Sequence, residues 1–269
     1  GTGIGMNTLP YDMKLSDANI EIKSTNNSFT FNSIGKINGI MNEFSLQKNE
    51  NKKPKVFIRF EENYELTKLI EKFSKFSLDG MMGGIIEIDE FDFDNFTAKT
   101  VIQLDKSSLE IPIFKYKKVR GVKGLLICDL IFKNGHINEI KNIQGEIGAI
   151  MLDGDIKFSS SGDIVRSEFN HFSIPGIHLS KMNLNKDKNN KYILDIEGES
   201  IDIRYLLKNL EKNSNNKSGR NPIIFSLKSN NILLPGNIRM SGKVTGLIDK
   251  KNNVTADIKA NIRVNENIF

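Results

Sequence analysis

The sequence predicts a mainly β protein, an antiparallel meander of strands interrupted by two short amphipathic helices. Three observations support this fold class. Stretches in which apolar and polar residues alternate recur along the whole chain. Clusters of Gly, Asn, Asp and Ser separate these stretches and are typical of turns. Only two segments change to the three-to-four-residue spacing of an amphipathic helix.

Composition limits the classes of protein that remain. Hydrophobic residues make up 38% of the 269 residues and charged residues 26%, which favours a sheet with one apolar face over a thick core. The net charge is +5, but Lys and Arg are scattered and do not form a patch with aromatic residues, so we expect no nucleic-acid partner. The single cysteine excludes an intrachain disulfide. The sequence contains no run of 18 or more apolar residues, so it predicts no membrane-spanning helix.

The clearest strand is predicted at residues 254–264. Its even-numbered residues are apolar and its odd-numbered residues are polar, as expected for a strand with one covered and one wet face. At about 3.3 Å per residue the strand would be roughly 35 Å long. An apolar face of that length must be covered by something, because uncovered it would aggregate.

Most other segments repeat this pattern less regularly. In part of residues 124–132 both faces of the predicted strand are apolar, which predicts that it is the best-buried strand. The dipeptide Asn134-Gly135 predicts a tight hairpin turn directly after it. Further strands are predicted around residues 18–22, 29–31, 56–60, 86–93, 98–104, 152–158, 192–196 and 223–227.

Two segments have the spacing of amphipathic helices. The first covers residues 64–77, and we interpret it as a lid over one end of the sheet, with a membrane-surface helix as the alternative. The second covers residues 203–211, with Asp202 as its N-cap. The polar loop 211–222 then divides a first segment, 1–210, from its continuation, 223–269.

No arrangement of residues predicts catalysis, a metal site or a cofactor. The acidic residues of the run 87–94 alternate with apolar ones and have no Gly at a bend, so we interpret them as the wet face of a strand and not as a calcium loop. The three histidines lack partners at zinc-ligand spacing. Cys128 lies in an apolar run, which indicates a small buried hydrophobe and not a nucleophile. We therefore expect a non-enzymatic protein.

One segment resembles a known family. Residues 192–207, YILDIEGESIDIRYLL, contain the element G-x-S-x-D-x-R-x-L-L, formed by Gly198, Ser200, Asp202, Arg204 and a Leu pair. This element resembles one found in the AsmA-like superfamily, in its alphaproteobacterial branch near YhdP and TamB. Residues 147–158 and 163–174 are similar to the short strands that precede it there. Asp202 and Arg204 are interpreted as structural residues.

The resemblance implies an elongated, twisted antiparallel sheet curled into an open apolar groove. It also implies a periplasmic protein that is anchored to the inner membrane by a segment outside this stretch and moves phospholipid between the inner and outer membranes. Because the chain opens without Met and ends within a strand-like pattern, we expect that it is a fragment and that flanking segments reach the two membranes. In this interpretation phospholipid acyl chains cover the apolar face. The residues expected to line it are Leu152, Ile156, Phe158, Tyr192, Leu194, Ile196, Phe225, Val254, Ile258 and Ile262.

Two other classes of protein remain open. A structural or adhesive β-sandwich would close its apolar face against a second sheet. A polysaccharide-acting enzyme would need two carboxylates converging in a cleft, and the sequence offers no such pair.

Overall fold

The computed structural model describes residues 2, 4–6, 14–37, 39–63, 77–111, 115–204, 221–250 and 253–264. These residues lie mainly in β-strands, which confirms the predicted mainly β fold class. The chain forms two compact units. The first comprises Gly1–Glu110 and Lys117–Gly148, and the second comprises Ile111–Tyr116 and Ala149–Phe269.

The first unit is built on nine strands, each hydrogen-bonded to the next in the order given, with every pair antiparallel. They are β1 (Ile4–Met6), β2 (Leu15–Ser24), β3 (Ser28–Ile37), β4 (Ile40–Asn49), β5 (Lys55–Asn63), β7 (Met82–Ile88), β8 (Phe96–Gln103), β11 (Gly124–Lys133) and β12 (His136–Ile147). Three shorter strands are β6 (Ser77–Gly80), β9 (Ser107–Ile111) and β10 (Tyr116–Lys118), of which β6 and β9 pair antiparallel.

The second unit contains seven strands, each paired with the next along the chain. They are β13 (Ile150–Phe158), β14 (Ile164–Ile174), β15 (Ile177–Lys186), β16 (Tyr192–Asp202), β17 (Ile223–Leu234), β18 (Ile238–Ile248) and β19 (Val254–Val264). Successive side chains of a strand point to opposite faces of its sheet, so the alternation in the sequence gives this sheet one apolar face.

One strand pair departs from the predicted antiparallel meander. Strands β16 and β17 run parallel, with Leu194 opposite Phe225 and Ile196 opposite Leu227. A parallel pair requires a crossover of a dozen or more residues, whereas an antiparallel hairpin needs only a short turn. Residues 203–222 supply a connection of that length.

The two predicted helices are not borne out. The complete helical element in the described part of the chain is a 3-10 turn, Pro235–Asn237, and Arg204 is helical where the description stops. Residues 64–76 and 205–211 lie outside the described residues, and Ser77, the last residue of the first predicted helix, begins strand β6. Residues 211–220 of the predicted loop also lie outside them.

The first unit has its own apolar cluster. Val56, Ile88 and Ala98 are buried next to one another on β5, β7 and β8. Phe96 and Phe132 stack beside them with ring centroids 4.3 Å apart, and the other partly buried side chains packed on the cluster are Phe44, Leu46, Ile58, Ile86, Phe91 and Leu130. The sheet of the first unit thus buries apolar residues from neighbouring strands on the side that holds this cluster, as the alternation predicts.

Strand β11 is less buried than predicted. Only Gly124 and Cys128 are buried along it, and Ile127 is exposed. An apolar residue on the outer side of a sheet remains exposed unless a second layer covers it, so a run that is apolar on both sides does not by itself identify a core strand. The hairpin turn after β11 is confirmed: Asn134 and Gly135 both have positive φ, 52° and 73°, as a two-residue type I′ turn requires.

Candidate functional site

The residues expected to line a groove all lie in the second unit. Leu152, Ile156 and Phe158 are on β13, whereas Tyr192, Leu194 and Ile196 are on β16. Phe225 is on β17 and the last three, Val254, Ile258 and Ile262, are on β19. The strand register places these residues on one face of the seven-stranded sheet, which we call the apolar face.

A row of large side chains crosses six strands of the apolar face. Each member lies opposite the next in the strand register, from β14 to β19: Phe169, Met182, Ile196, Leu227, Val244 and Ile258. A second, shorter row beside it consists of Leu184, Leu194 and Phe225. Apolar side chains that face one another across neighbouring strands form a continuous surface.

Small residues form a parallel row next to the first. Gly198, Ser229, Gly242 and Ala260 face one another on β16 to β19. The backbones leave no space for a larger residue at the two glycines: a Cβ on Gly198 would lie 2.3 Å from the carbonyl oxygen of His178, and one on Gly242 would lie 2.3 Å from that of Lys259. The small row lies between two rows of larger side chains, and two of its members, Gly198 and Ser229, are buried.

Two aromatic rings lie over glycines on neighbouring strands. A Cβ on Gly154 would be 2.7 Å from the ring of Phe169, and one on Gly246 would be 2.7 Å from the ring of Phe225. An aromatic ring that covers a cross-strand glycine shields the bare backbone and fixes the strand register. Phe60 and Gly84 repeat this arrangement in the first unit. Phe169 is a lining residue that the sequence analysis missed.

Exposure changes along the apolar face. At one end Ile174, Ile177, Ile201, Ile232 and Met240 are all buried. Beyond the small row, the large side chains from β13 to β18 are half-buried. On β19 the exposed fractions rise to 48% for Val254, 56% for Ile258 and 61% for Ile262. The apolar face is therefore covered at the end that contains Ile201, Ile232 and Met240, and it is exposed along the whole of β19, including Ile262 opposite Met240.

Lys186 is the one charged residue among those that the register places on the apolar face in the described strands β13–β19. It lies at the rim, opposite Tyr192, with its ammonium nitrogen 5.8 Å from the centre of the Tyr192 ring. The same nitrogen lies 3.6 Å from a carboxylate oxygen of Asp163. A cation thus lies beside apolar surface at the edge of this face, a feature that the sequence analysis also missed.

The opposite face of the sheet is mainly polar. Lys228 and Glu197 form an ion pair of 2.7 Å across β16 and β17, and this hydrogen bond and charge hold the pKa of the Glu197 carboxyl below its usual range. Ile193, Ile224 and Leu247 form a small exposed apolar patch on this side. The charges of the sheet are thus concentrated away from the apolar face.

The acidic run of the first unit is not the strand that the sequence predicts. Strand β7 ends at Ile88, and residues 89–95 are irregular. Asp89 accepts hydrogen bonds from Lys99 at 3.1 Å and Lys55 at 3.2 Å, and these lysines lower the pKa of its carboxyl. Within the run Asp92 accepts a hydrogen bond from the Asp94 main-chain N–H at 3.2 Å, a local bond of the kind that competes with a strand ladder.

The potential reactive groups have ordinary structural surroundings. Cys128 is buried, and burial together with the charge of Asp129 raises the pKa of its thiol to about 11. His178 contacts Ser173 through Nδ1, 2.7 Å from the hydroxyl oxygen, as a cross-strand pair. Asp202 accepts two hydrogen bonds from the Arg204 guanidinium, at 2.9 and 2.6 Å, and one from the Arg204 main-chain N–H. Asp202 and Arg204 therefore stabilise the end of β16.

The described residues contain no group of three or more His, Cys, Asp or Glu side chains placed to hold a metal ion. No helix among them has the length and apolar content needed to cross a membrane. Comparisons of the chain with family models, curated proteins and solved structures found no match.

Proposed function

We propose that the protein is a non-enzymatic carrier of phospholipid whose acyl chains slide along the apolar face of β13–β19. In this proposal the sheet curls into an open groove, and the chain works in the periplasm between the inner and outer membranes. The observation that carries the proposal is the continuous row of large apolar side chains from Phe169 to Ile258, half-buried or exposed along its length.

The dimensions of the apolar face suit an acyl chain. Seven strands spaced about 4.8 Å apart span roughly 30 Å. The acyl chains of one leaflet extend about 15 Å, half the thickness of a bilayer's hydrocarbon core. One chain can therefore lie across several strands along the row of large side chains from Phe169 to Ile258.

The chemistry of the apolar face suits movement. Each buried CH₂ of an acyl chain gains roughly 0.8 kcal/mol on leaving water, so a chain is held by many small contributions. The hydrophobic effect has no preferred direction, and the row offers no directional bond that must break when the chain shifts by one strand. A bound chain therefore meets low barriers along the row of large side chains.

Lys186 would orient the bound phospholipid on the apolar face. A phospholipid carries a phosphate at one end, and the Lys186 ammonium at the rim can contact it while the acyl chains lie on the apolar side chains. Asp163 competes for this cation, so we expect the contribution of Lys186 to be modest.

A structural or adhesive β-sandwich is the alternative. It would cover the same apolar face with a second protein layer, and the buried end at Ile174, Ile201 and Ile232 is compatible with such a cover. The exposure of Val254, Ile258 and Ile262 favours the lipid carrier, because a closed core would leave these side chains dry.

A transfer assay with the purified chain tests the transport proposal. Donor vesicles of phosphatidylethanolamine and phosphatidylglycerol carry a fluorescent phosphatidylethanolamine with a quencher, and acceptor vesicles carry neither. We expect substoichiometric protein to accelerate the fluorescence increase. A rate equal to that of spontaneous exchange, with a folded protein by circular dichroism, would reject transport.

A further inference from the structure

The polar side of the sheet β13–β19 carries one isolated apolar row. Ile193, Ile224 and Leu247 lie opposite one another on β16, β17 and β18, and they are 37%, 41% and 40% exposed. The row ends at polar residues on both sides, Asn185 on β15 and Thr255 on β19. Contiguous exposed apolar side chains with a polar rim mark interaction sites, whereas apolar residues scattered singly over a surface do not.

A cavity of about 370 Å³ lies beside this row, at the turns where the strands end. It has an apolar part and a polar part. Its lining residues are Pro222 and Leu247 in the apolar part and Lys191, Asp249, Lys250 and Asn253 in the polar part. Ligand pockets commonly have volumes of roughly 300–1,000 Å³, so this cavity is of a size that suits a small group of atoms, such as one side chain of a bound segment.

Hydrogen bonds within the two turns fix the shape of the cavity. The Asp187 carboxylate accepts bonds from the main-chain N–H groups of Asn189 and Lys191, at 2.7 and 2.8 Å. The Asp249 carboxylate accepts two bonds from Asn253, one from the main chain and one from the side-chain amide, both at 2.8 Å. A surface that is already ordered loses less conformational freedom on binding, which favours association.

The two lysines of the cavity are available to an anionic partner. Lys191 and Lys250 are exposed, and neither forms an ion pair with a residue that the structure describes. The carboxylates of Asp187 and Asp249 are bonded within their own turns. A ligand that matches this surface therefore combines negative charge with an apolar group.

We propose that this surface binds an acidic segment of a partner protein, with an apolar side chain in the cavity and carboxylates on Lys191 and Lys250. Separate carboxylates suit it better than a uniformly anionic bilayer, because a segment can place its charges on the two lysines and away from Asp187 and Asp249. An apolar anchor surrounded by polar contacts is the usual arrangement at the centre of protein–protein interfaces. Because the charged contacts are exposed, we expect a weak and reversible complex.

This surface lies on the side of the sheet opposite the apolar face, so its role goes beyond the proposed function and does not depend on what covers that face. Ile193→Asp distinguishes the two proposals. A carboxylate there removes apolar contact and repels an acidic segment, so peptide binding should fall at least tenfold while the lipid content stays normal. Retention of full peptide binding by this variant would contradict the docking surface and leave the transport proposal untouched.

Selection of phage-displayed random heptapeptides on the purified chain tests the surface. We expect enriched peptides to carry two or more carboxylates beside a large apolar residue, and to bind with dissociation constants of about 10–100 µM by fluorescence anisotropy. Lys191→Gln/Lys250→Gln should weaken binding about tenfold, since each exposed ion pair contributes a factor of about two to five. Leu247→Ser should weaken it similarly, because it removes apolar contact at the cavity.

A second pair of lysines supplies the matched control. Lys181 and Lys243 are exposed on the same polar side and do not line the cavity. Lys181→Gln/Lys243→Gln makes the same change of net charge and should alter peptide binding less than twofold. Equal losses in the two double variants, or no enrichment of acidic sequences, would overturn the proposal. Binding to phosphatidylglycerol vesicles that requires Lys191 and Lys250, with peptide binding unchanged in the same variant, would overturn it in favour of a membrane contact.

Discussion

A charge placed in the middle of the large row should strongly weaken lipid binding. Ile196 lies on β16 between Met182 and Leu227, so an acyl chain that crosses the apolar face must pass it. Ile196→Asp removes contact with two or three CH₂ groups at roughly 0.8 kcal/mol each, about 2 kcal/mol in all. That loss alone weakens binding about 30-fold, and the cost of desolvating the carboxylate increases the effect.

The same strand supplies the matched control. Ile193 is an exposed residue on the opposite side of the sheet, three positions from Ile196. Ile193→Asp makes the identical chemical change in the same strand and should alter lipid binding less than twofold, because no acyl chain is proposed to lie on that side. The pair of variants thus separates an effect of the face from a general effect of a carboxylate on β16.

The assay is the amount of phospholipid bound per chain, measured by mass spectrometry of lipid extracted from the purified protein. Urea unfolding of each variant identifies any general loss of stability. We expect Ile196→Asp to carry at least tenfold less phospholipid than the wild type and Ile193→Asp to carry a normal amount. Equal losses in both variants, or normal lipid content in Ile196→Asp, would refute the proposed binding face.

Three further predictions concern named side chains. Lys186→Met should reduce the ratio of bound phosphatidylglycerol to bound diacylglycerol about two- to fivefold, measured by lipid mass spectrometry, because it removes a partly screened cation at the rim; an unchanged ratio would exclude a headgroup contact there. Alkylation of Cys128 by iodoacetamide at pH 8 should be at least about 100-fold slower than that of the urea-unfolded chain, since a thiol pKa raised from 9.0 to about 11 leaves about a hundredth of the thiolate; fast modification would show that the site is open. Arg204 lowers the pKa of the Asp202 carboxyl below its unfolded value of 3.8. The pair therefore contributes its full stabilisation at pH values above the unfolded pKa, and this stabilisation is lost as the pH falls through the pKa of the folded state. Arg204→Gln should therefore lower the free energy of unfolding by about 1–2 kcal/mol at pH 7 and by progressively less below pH 4, measured by urea titration; a constant difference across this range would contradict the assignment.

The strands were predictable because their signal is local. Alternation in residues 192–196 and 254–264 identifies both the strand and its apolar side without knowledge of any neighbour. The Asn134-Gly135 turn is equally local, since positive φ at two successive residues favours that dipeptide. The face shared by the ten predicted lining residues follows from alternation combined with the strand register.

The remaining features depend on contacts between distant residues. The parallel pairing of β16 with β17 follows from a twenty-residue connection whose direction no local pattern encodes. Phe169 was missed because it is three residues from Phe172, a spacing that strict alternation assigns to opposite faces. A register shift between β13 and β14, near Asp153 and Gly154, brings both residues onto the apolar face. The Phe225 ring covers Gly246 because the register of β17 and β18 sets these two residues opposite each other, and the sequence alone does not give that register.

Photo-crosslinking along β17 tests most directly whether hydrocarbon covers the apolar face. A photoreactive amino acid is placed in turn at the consecutive positions Ile224, Phe225, Ser226 and Leu227, and phospholipid adducts are detected by mass spectrometry after irradiation in cells. We predict adducts at Phe225 and Leu227 and none at Ile224 and Ser226. Absence of lipid at all four positions, with protein adducts at Phe225 and Leu227 instead, would contradict the lipid carrier and support a closed sandwich.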